Sequence, residues 1–410
     1  MFEGIEEDVM SVKISVITAI YNKSKYLYDY VQSIKKQTFR DFEVICIEDC
    51  STDDSLKQLQ RLVENDSRFT IIRNSVNCGL SISRNKAIKK SKGKYICFLD
   101  ADDCFVPKTL QILWQNAEEY KLDGLLFSAL EYSEDLKKKL KKIQYKDAYP
   151  VCDGKKLISL LHENREYQSA CGFQLWKLEF LKKKDAYFYP NIYYEDTLFT
   201  LQTLIKAERV KAISDLLYVY RQCSSSISHS LGIGQLYSCL VVYNELLIML
   251  KQNCNNNFIY SEIIDRLHLF ERSIKHIICI EKNDIVLSHY KPYEELLQKF
   301  FKNVKYPYIR GLSRNEINRI KLEKRVFIYG DGMGAEETVA LLSSHHIKIS
   351  GVIVSYMDTY RLWHGYKVIS VNDFDEQGIV IISVAKKWKE SLEATFNSKG
   401  NETIFITRDI

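Results

Sequence analysis

No run of eighteen apolar residues occurs in the 410-residue chain, which excludes a membrane-spanning helix. The opening stretch, Met1 to Met10, is acidic and has neither the basic start nor the apolar stretch of a secretory signal. Charge of one sign is not in excess: 58 basic against 53 acidic side chains leave a net +5, too mild a balance to argue for nucleic acid. The 11 cysteines include no Cys-x-x-Cys pair and mostly sit in apolar runs such as Val44-Ile45-Cys46-Ile47. That excludes a disulfide framework and a zinc knuckle in favour of reduced core thiols in a cytoplasm. The chain is therefore expected to be soluble and cytoplasmic, with short lysine clusters that leave a peripheral contact at the inner face of the plasma membrane open.

What is present is ordinary globular material, 46% apolar and 27% charged. The length suits two or three domains. The organising stretch is Lys94-Tyr95-Ile96-Cys97-Phe98-Leu99-Asp100-Ala101-Asp102-Asp103. A short apolar run without helical spacing reads as a buried parallel strand. The acids at its carboxyl end then lie where open α/β sheets bind ligands. Asp100 and Asp102 alternate on an extended chain and point the same way. Two carboxylates held together are costly without a cation between them, and hard oxygen donors suit Mg²⁺ or Mn²⁺. A solvated acidic turn is the alternative for an isolated Asp-x-Asp.

Upstream, Lys13 to Ala19 reads as a first strand ending in Ile20-Tyr21-Asn22-Lys23, followed by a helix with Leu27, Val31 and Ile34 on one face. Phe42 to Ile47 is a second strand ending in Glu48-Asp49-Cys50-Ser51-Thr52-Asp53-Asp54, with Ser51 or Thr52 as the cap of the next helix. Phe69 to Arg73 is a third strand. The turn Asn77-Cys78-Gly79-Leu80-Ser81 leads into a short helix, Ser83 to Lys90. Strands alternating with helices predict right-handed βαβ units and a parallel sheet. Its one polar rim gathers Tyr21, Asp49 and the acids from Asp100 to Asp103.

Further on, Gly124 to Phe127 reads as a strand. Lys137-Lys138-Lys139-Leu140-Lys141-Lys142 reads as a solvated helix face, with a membrane-surface contact as the alternative. Glu195-Asp196 opens a helix carrying Leu198, Leu201 and Leu204, and Tyr220-Arg221 precedes a serine-rich loop ending at Ile227-Ser228-His229.

Six of these pieces, in order, resemble the inverting family 2 glycosyltransferases of GT-A fold, the group that builds bacterial surface polysaccharides. Val16 to Asn22 is similar to the family's opening strand with its Tyr-Asn, and Glu48 to Asp53 to its Asp-Asp-Gly-Ser-x-Asp. Asn77 to Asn85 is similar to its Asn-x-Gly-x-x-x-Ala-Arg-Asn, and Asp100-Ala101-Asp102 to its Asp-x-Asp. Glu195-Asp196 matches its Glu-Asp, and Tyr220-Arg221 with Ser226-Ile227-Ser228 a later motif. Three small residues depart from the pattern: Ala19 for Pro, Cys50 for Gly and Ser83 for Ala.

The resemblance implies an α/β GT-A nucleotide-sugar fold, a Rossmann-like mixed sheet, over residues 1–230. It implies a nucleotide-sugar donor, a UDP-sugar by preference, and a glycan or lipid-linked hydroxyl as acceptor. It assigns the donor to Thr18, Tyr21, Asp49, Arg84, Asp100 and Ala101. Thr18 and Tyr21 would line the base pocket, Asp49 would accept from the base, and Arg84 would reach the pyrophosphate or Asp49. Asp102 and Asp100 would hold the metal, with His229 completing its shell and Asp103 assisting metal or acceptor. Asp196 would be the base, oriented by Glu195.

Residues 231–322 read as a helical accessory segment, with stripes Leu236, Leu240, Tyr243, Leu247 and Ile263, Leu267, Phe270, Ile274. Residues 323–410 read as a small Rossmann-like α/β unit. Its turn Gly330 to Ala335 fits a dinucleotide fingerprint, but no acid ends the following strand. These segments offer surfaces for a second copy or a partner enzyme. The rival functions are a nicotinamide oxidoreductase or a non-catalytic assembly protein built on that last unit. A sugar-phosphate nucleotidyltransferase is disfavoured, because Thr18 to Lys25 contains no glycine.

Overall fold

The computed structural model describes residues 12–146, 148–223, 233–253, 257–280, 294–303, 312, 314–330, 333–355, 362–363, 366–382 and 389–405. The chain divides into two compact units, one of residues 1–229 with 249–264 and one of residues 230–248 with 265–410.

The first unit begins with the expected alternation: β1 (Ile14–Ile20), α1 (Leu27–Lys35), β2 (Phe42–Glu48), α2 (Ser55–Val63), β3 (Phe69–Arg73), α3 (Leu80–Lys90) and β4 (Tyr95–Phe98). There follow β5 (Cys104–Phe105), α4 (Thr109–Glu119), β6 (Gly124–Ser133), β7 (Lys139–Ile143), α5 (Gly154–Glu163), β8 (Gln174–Lys177), α6 (Leu178–Lys183), α7 (Glu195–Lys206) and β9 (Val210–Gln222). The strands form one sheet in the order β3-β2-β1-β4-β8-β6-β9-β5, with β7 paired to β6. The half formed by β3, β2, β1 and β4 is parallel, and β8 then runs antiparallel to β4. This is the expected mixed α/β sheet. Residues of β1 and β4 are almost all buried, as a sheet covered on both faces requires. On α1 the stripe Leu27, Tyr30, Val31 and Ile34 is buried against that sheet, each side chain contributing roughly 1.5–3 kcal/mol.

Two local expectations are corrected. The helix after β2 is not capped by Ser51 or Thr52, whose hydroxyls meet Asn22 instead. The N-cap is Asp54, and the Asp53 carboxylate accepts from the Ser55 amide at 2.9 Å. The lysine run around Lys139 is a strand rather than a helix face. The outer half of β6 needs a partner, and pairing sets Lys141 opposite Glu131, with an ion pair of 3.0 Å. Opposite charges facing each other across two strands favour that register.

The second unit contains α8 (Ile233–Gln252) and α9 (Asn257–Ile280) in the parts assigned to it, then α10 (Glu294–Asn303) and α11 (Arg314–Leu322). It continues as β10 (Val326–Tyr329), α12 (Met333–Ser344), β11 (Gly351–Val354), β12 (Leu362–Trp363), β13 (Tyr366–Ser370), β14 (Ile379–Ile382), α13 (Lys389–Ser398) and β15 (Glu402–Phe405). Its sheet runs β12-β13-β11-β10-β14-β15, parallel except for β12. Gly330 leaves β10 with φ 112°, a conformation that favours glycine. Ala335 packs into the unit's core, while Asp331 and Gly332 lie outside the described residues. Among the described residues no helix is long and apolar enough to cross a membrane.

Candidate active site

The carboxyl end of β4 and the start of α7 converge on one guanidinium. Arg84, in the middle of α3, is 2% exposed. Its Nη2 donates to Asp100 Oδ1 at 2.8 Å, and its Nη1 donates to Glu195 Oε1 and Asp196 Oδ1, both at 2.9 Å. The guanidinium lies over Phe188 (5.1 Å to the ring centroid) and Phe98 (6.0 Å), and Phe188 stacks on Phe199 at 4.0 Å. Asn85 anchors this cage by donating to the Phe188 carbonyl and accepting from its amide. Arg84 thus joins three carboxylates from two distant segments and does not reach Asp49, one of its two expected partners.

Glu195 and Asp196 occupy the first turn of α7, where the helix dipole favours their ionised form. Tyr194, just before them, adopts a left-handed conformation with φ 63°, a strain that clusters at functional sites. Asp196 Oδ2 accepts from the Cys171 amide at 3.2 Å. Burial pushes the Glu195 carboxyl up to about 7, with the charge of Asp196 adding to the effect and Arg84 opposing it. Burial raises Asp196 as well, and Arg84 again opposes the rise. Both carboxyls are therefore held above the ordinary carboxylate range, Glu195 to about 7, and raised proton affinity is a property a general base needs.

Asp102 faces a second cation. The Lys23 ammonium sits 2.5 Å from Asp102 Oδ2. Burial alone would lower the lysine's pKa, but Asp102 outweighs it and the pKa is raised. Four carboxylates, Asp100, Asp102, Glu195 and Asp196, thus share the two cations Lys23 and Arg84. The excess of negative charge at Asp100 and Asp102, both partly exposed, suits a hard divalent ion. Among the described residues no three acidic, cysteine or histidine side chains are placed so that they could hold a metal ion by themselves. That still fits Mg²⁺ or Mn²⁺, which commonly takes one or two carboxylates and completes its shell with substrate phosphates and water. His229, the expected further ligand, lies outside the described residues.

On the nucleotide side, Tyr21 stands 42% exposed at the end of β1, free to offer a ring face. Asp49 is buried and holds the turn before α3. Its Oδ1 accepts from Asn74 Nδ2 and the Cys78 amide, and its Oδ2 from the Gly79 amide, at 2.7–2.8 Å. Gly79 has φ 81°, which explains the glycine there. Ser83 is also buried, and its hydroxyl accepts from Asn74 at 3.1 Å. Two expected donor residues have their side chains enclosed by the protein. Thr18 is 1% exposed and its hydroxyl accepts from Tyr30 at 2.7 Å. Strand alternation turns it to the α1 side with Val16 and Ile20. Ala101 is 1% exposed with its methyl in the core, so only its backbone is left to meet a ligand. Asp103 is buried too. It accepts from Tyr218 Oη and the Arg221 amide at 2.7 Å, which makes it a strut of β9 rather than a ligand for metal or acceptor.

The residues that the motifs did not reveal are Lys23, Phe188 and Tyr194. Lys23 alone had a local signal, as a cation immediately after the Tyr-Asn pair. The others become visible only when residues 103 to 112 positions apart meet.

Comparison with known proteins places these observations in a family. Residues 15–184 match the family described as Glycosyl transferase family 2. The cholesterol galactosyltransferase of Borreliella burgdorferi is 26% identical over 333 residues, 76% of this chain and 91% of that protein. The poly(ribitol-phosphate) beta-N-acetylglucosaminyltransferase TarS of Staphylococcus aureus is 28% identical over 213 residues, 51% of this chain but only 35% of that protein. A crystal structure of a TarS fragment in complex with UDP-GlcNAc superposes with a TM-score of 0.53 at 22% identity, covering 72% of this chain and 82% of the fragment. The sheet that carries the carboxylates is the GT-A sheet, and residues 15–184, which supply most of it, are similar to glycosyl transferase family 2.

Proposed function

We propose that the protein transfers a sugar, with inversion, from a UDP-sugar to a hydroxyl of a glycan or lipid-linked acceptor, in the assembly of a bacterial surface polysaccharide. The observation that carries this reading is the Arg84 cluster, which joins the acid after β4 to the acids opening α7. One cleft then contains a cation-binding rim and a group able to take a proton. Relatives named for galactosyl and N-acetylglucosaminyl transfer, and a structural neighbour crystallised with UDP-GlcNAc, support a uridine nucleotide as carrier.

In this reading Asp196 accepts the proton of the acceptor hydroxyl as that oxygen attacks the anomeric carbon. Glu195 holds the shared guanidinium and so orients Asp196. Tyr21 stacks on the base, and Asp49, whose Oδ2 takes a single hydrogen bond, retains capacity to accept from it. Asp100 and Asp102 would hold Mg²⁺ or Mn²⁺, which when bound supplies positive charge to the departing diphosphate. Arg84 keeps Asp100 and Asp196 at fixed positions on opposite sides of the sugar. The lysine-bearing surface is consistent with peripheral contact at a membrane carrying the acceptor.

The test is a screen of nucleotide sugars for release of nucleoside diphosphate, with Mn²⁺ and with chelator. Asp196→Asn should lower turnover by roughly 10²–10⁴ while UDP binding stays close to wild type. Asp102→Ala should lose Mn²⁺-dependent UDP binding and turnover together. Parallel loss of binding and turnover in Asp196→Asn would overturn its role, and turnover indifferent to chelator would overturn the metal.

A further inference from the structure

We propose that Lys23 is a place-holding cation: in the ligand-free chain it neutralises Asp102, and on donor loading it leaves that carboxylate for the donor's phosphates. The inference rests on the reading of Asp100 and Asp102 as the donor's metal-binding rim, and adds to it a residue that nothing else assigns.

The position of Lys23 is built. Asn22, just before it, is left-handed with φ 52°. Its side chain is clamped to Thr52 by two bonds, Nδ2 donating to Thr52 Oγ1 at 3.1 Å and Oδ1 accepting from the Thr52 amide at 2.8 Å. The Lys23 amide donates to Ser55 Oγ at 2.7 Å. The loop after β1 is thereby latched to the loop after β2, and the lysine stem leads to Asp102, 79 residues on. The backbone is fixed and the side chain is not. Lysine has a flexible four-carbon stem and three rotatable donors, and the pair is half-open, with side-chain exposures of 30% for Lys23 and 19% for Asp102.

Arg84 cannot play this part. Its side chain is 3% exposed, bound to three carboxylates and caged by Phe98 and Phe188. Against Asp102 Oδ2 the other contact recorded is the Cys223 thiol at 3.7 Å, too weak a partner to replace an ammonium. A divalent ion at Asp102 and the ammonium compete for the same oxygen. A diphosphate arriving beside them offers the displaced ammonium new acceptors within the reach of its stem. Lys23 should therefore oppose the free metal and favour the nucleotide, two effects of opposite sign from one side chain. An ion pair that served only to hold the loops together would oppose the metal but would not favour the nucleotide.

The experiment measures Mn²⁺ binding to the nucleotide-free protein by electron paramagnetic resonance, and UDP binding at saturating Mn²⁺ by calorimetry. Wild type, Lys23→Met, Lys23→Arg and Asp102→Asn are compared, with thermal melting to show that each is folded. Lys23→Met should bind free Mn²⁺ about tenfold more tightly and UDP about tenfold more weakly, within the usual range of coupling between sites. Lys23→Arg should stay near wild type in both. If Lys23→Met leaves either affinity unchanged, or shifts both in the same direction, the exchange is overturned. If Mn²⁺ binding is the same in wild type and Asp102→Asn, the metal-rim reading itself fails, a result distinct from any produced at Lys23.

Discussion

At Arg84 a single side chain answers three acids in a site from which water is largely excluded. Removing one partner of a buried ion pair typically costs about 3–5 kcal/mol, because the charges left behind stay desolvated. Arg84→Met should destabilise the fold by about that amount at neutral pH. The sign of its pH dependence follows from the raised carboxyls. Burial already holds Glu195 at about 7 against an ordinary 4.5, and without the guanidinium Glu195 and Asp196 rise further. Their penalty is complete above the raised values and disappears as they protonate. Denaturant titrations should therefore show the variant beginning to recover stability above pH 7, at higher pH than wild type, as the pH is lowered. The same proton shapes turnover. Activity should climb with rising pH as the raised Asp196 carboxyl ionises and then level off, and Glu195→Gln should move that inflection to lower pH, since the neutral amide no longer repels charge on Asp196. Cys50 is simpler. It is left-handed with φ 60°, a geometry that costs an L-residue roughly 1–2 kcal/mol and that glycine adopts freely at about 0.5–1 kcal/mol of extra chain entropy. Cys50→Gly should raise stability by up to about 1 kcal/mol, seen as a higher denaturant midpoint, although it gives up a weak thiol contact with the Ser75 carbonyl. The types of residue at the site were legible in order along the chain: Tyr21, Asp49, Arg84, Asp100, Asp102, Glu195 and Asp196. The partners of Arg84 were not, because nothing within a few residues of position 84 encodes an acid 112 positions away.

Among the elements, α1 was readable because Leu27, Val31 and Ile34 recur at the helical period and end up buried. Thr18 was misread because strand parity, more than proximity to the rim, decides which side of a sheet a hydroxyl meets. The lysine strand β7 had no readable period at all. It exists because β6 extends past β8, its neighbour on that side, and the charges of Glu131 and Lys141 select the pairing. An outer strand bearing lysines is a defence against edge-to-edge association. Replacing Lys139, Lys141 and Lys142 with threonine should leave turnover on a soluble acceptor intact and increase self-association, measured by light scattering at rising protein concentration. Binding of wild type to vesicles of anionic lipid, lost in the same variant, would show the strand serving as a surface contact as well.

Over the whole molecule, each of the two units has its own buried apolar cluster, and such chains seldom unfold in one step. Scanning calorimetry should resolve two transitions. UDP with Mn²⁺ at about a hundred times its dissociation constant should stabilise one of them by about 2.7 kcal/mol and leave the other in place. A shift of both, or of neither, would argue against confining donor binding to the first unit. The second unit was legible as alternating strands and helices with a glycine turn at Gly330, yet Ser355 follows β11 where a ribose-binding acid would be expected. Fold is written in patterns of burial that a sequence displays, whereas a ligand is written in surfaces that only folding assembles. One consequence of the Arg84 fork remains. Because the same planar group grips Asp100 with one nitrogen and Glu195 and Asp196 with the other, whatever loosens its hold at the first end tightens or slackens it at the second. Departure of the spent carrier and deprotonation of the base on the acceptor side would then be felt together, a conversation between the two halves of the catalytic cycle conducted through a single resonance-stabilised cation.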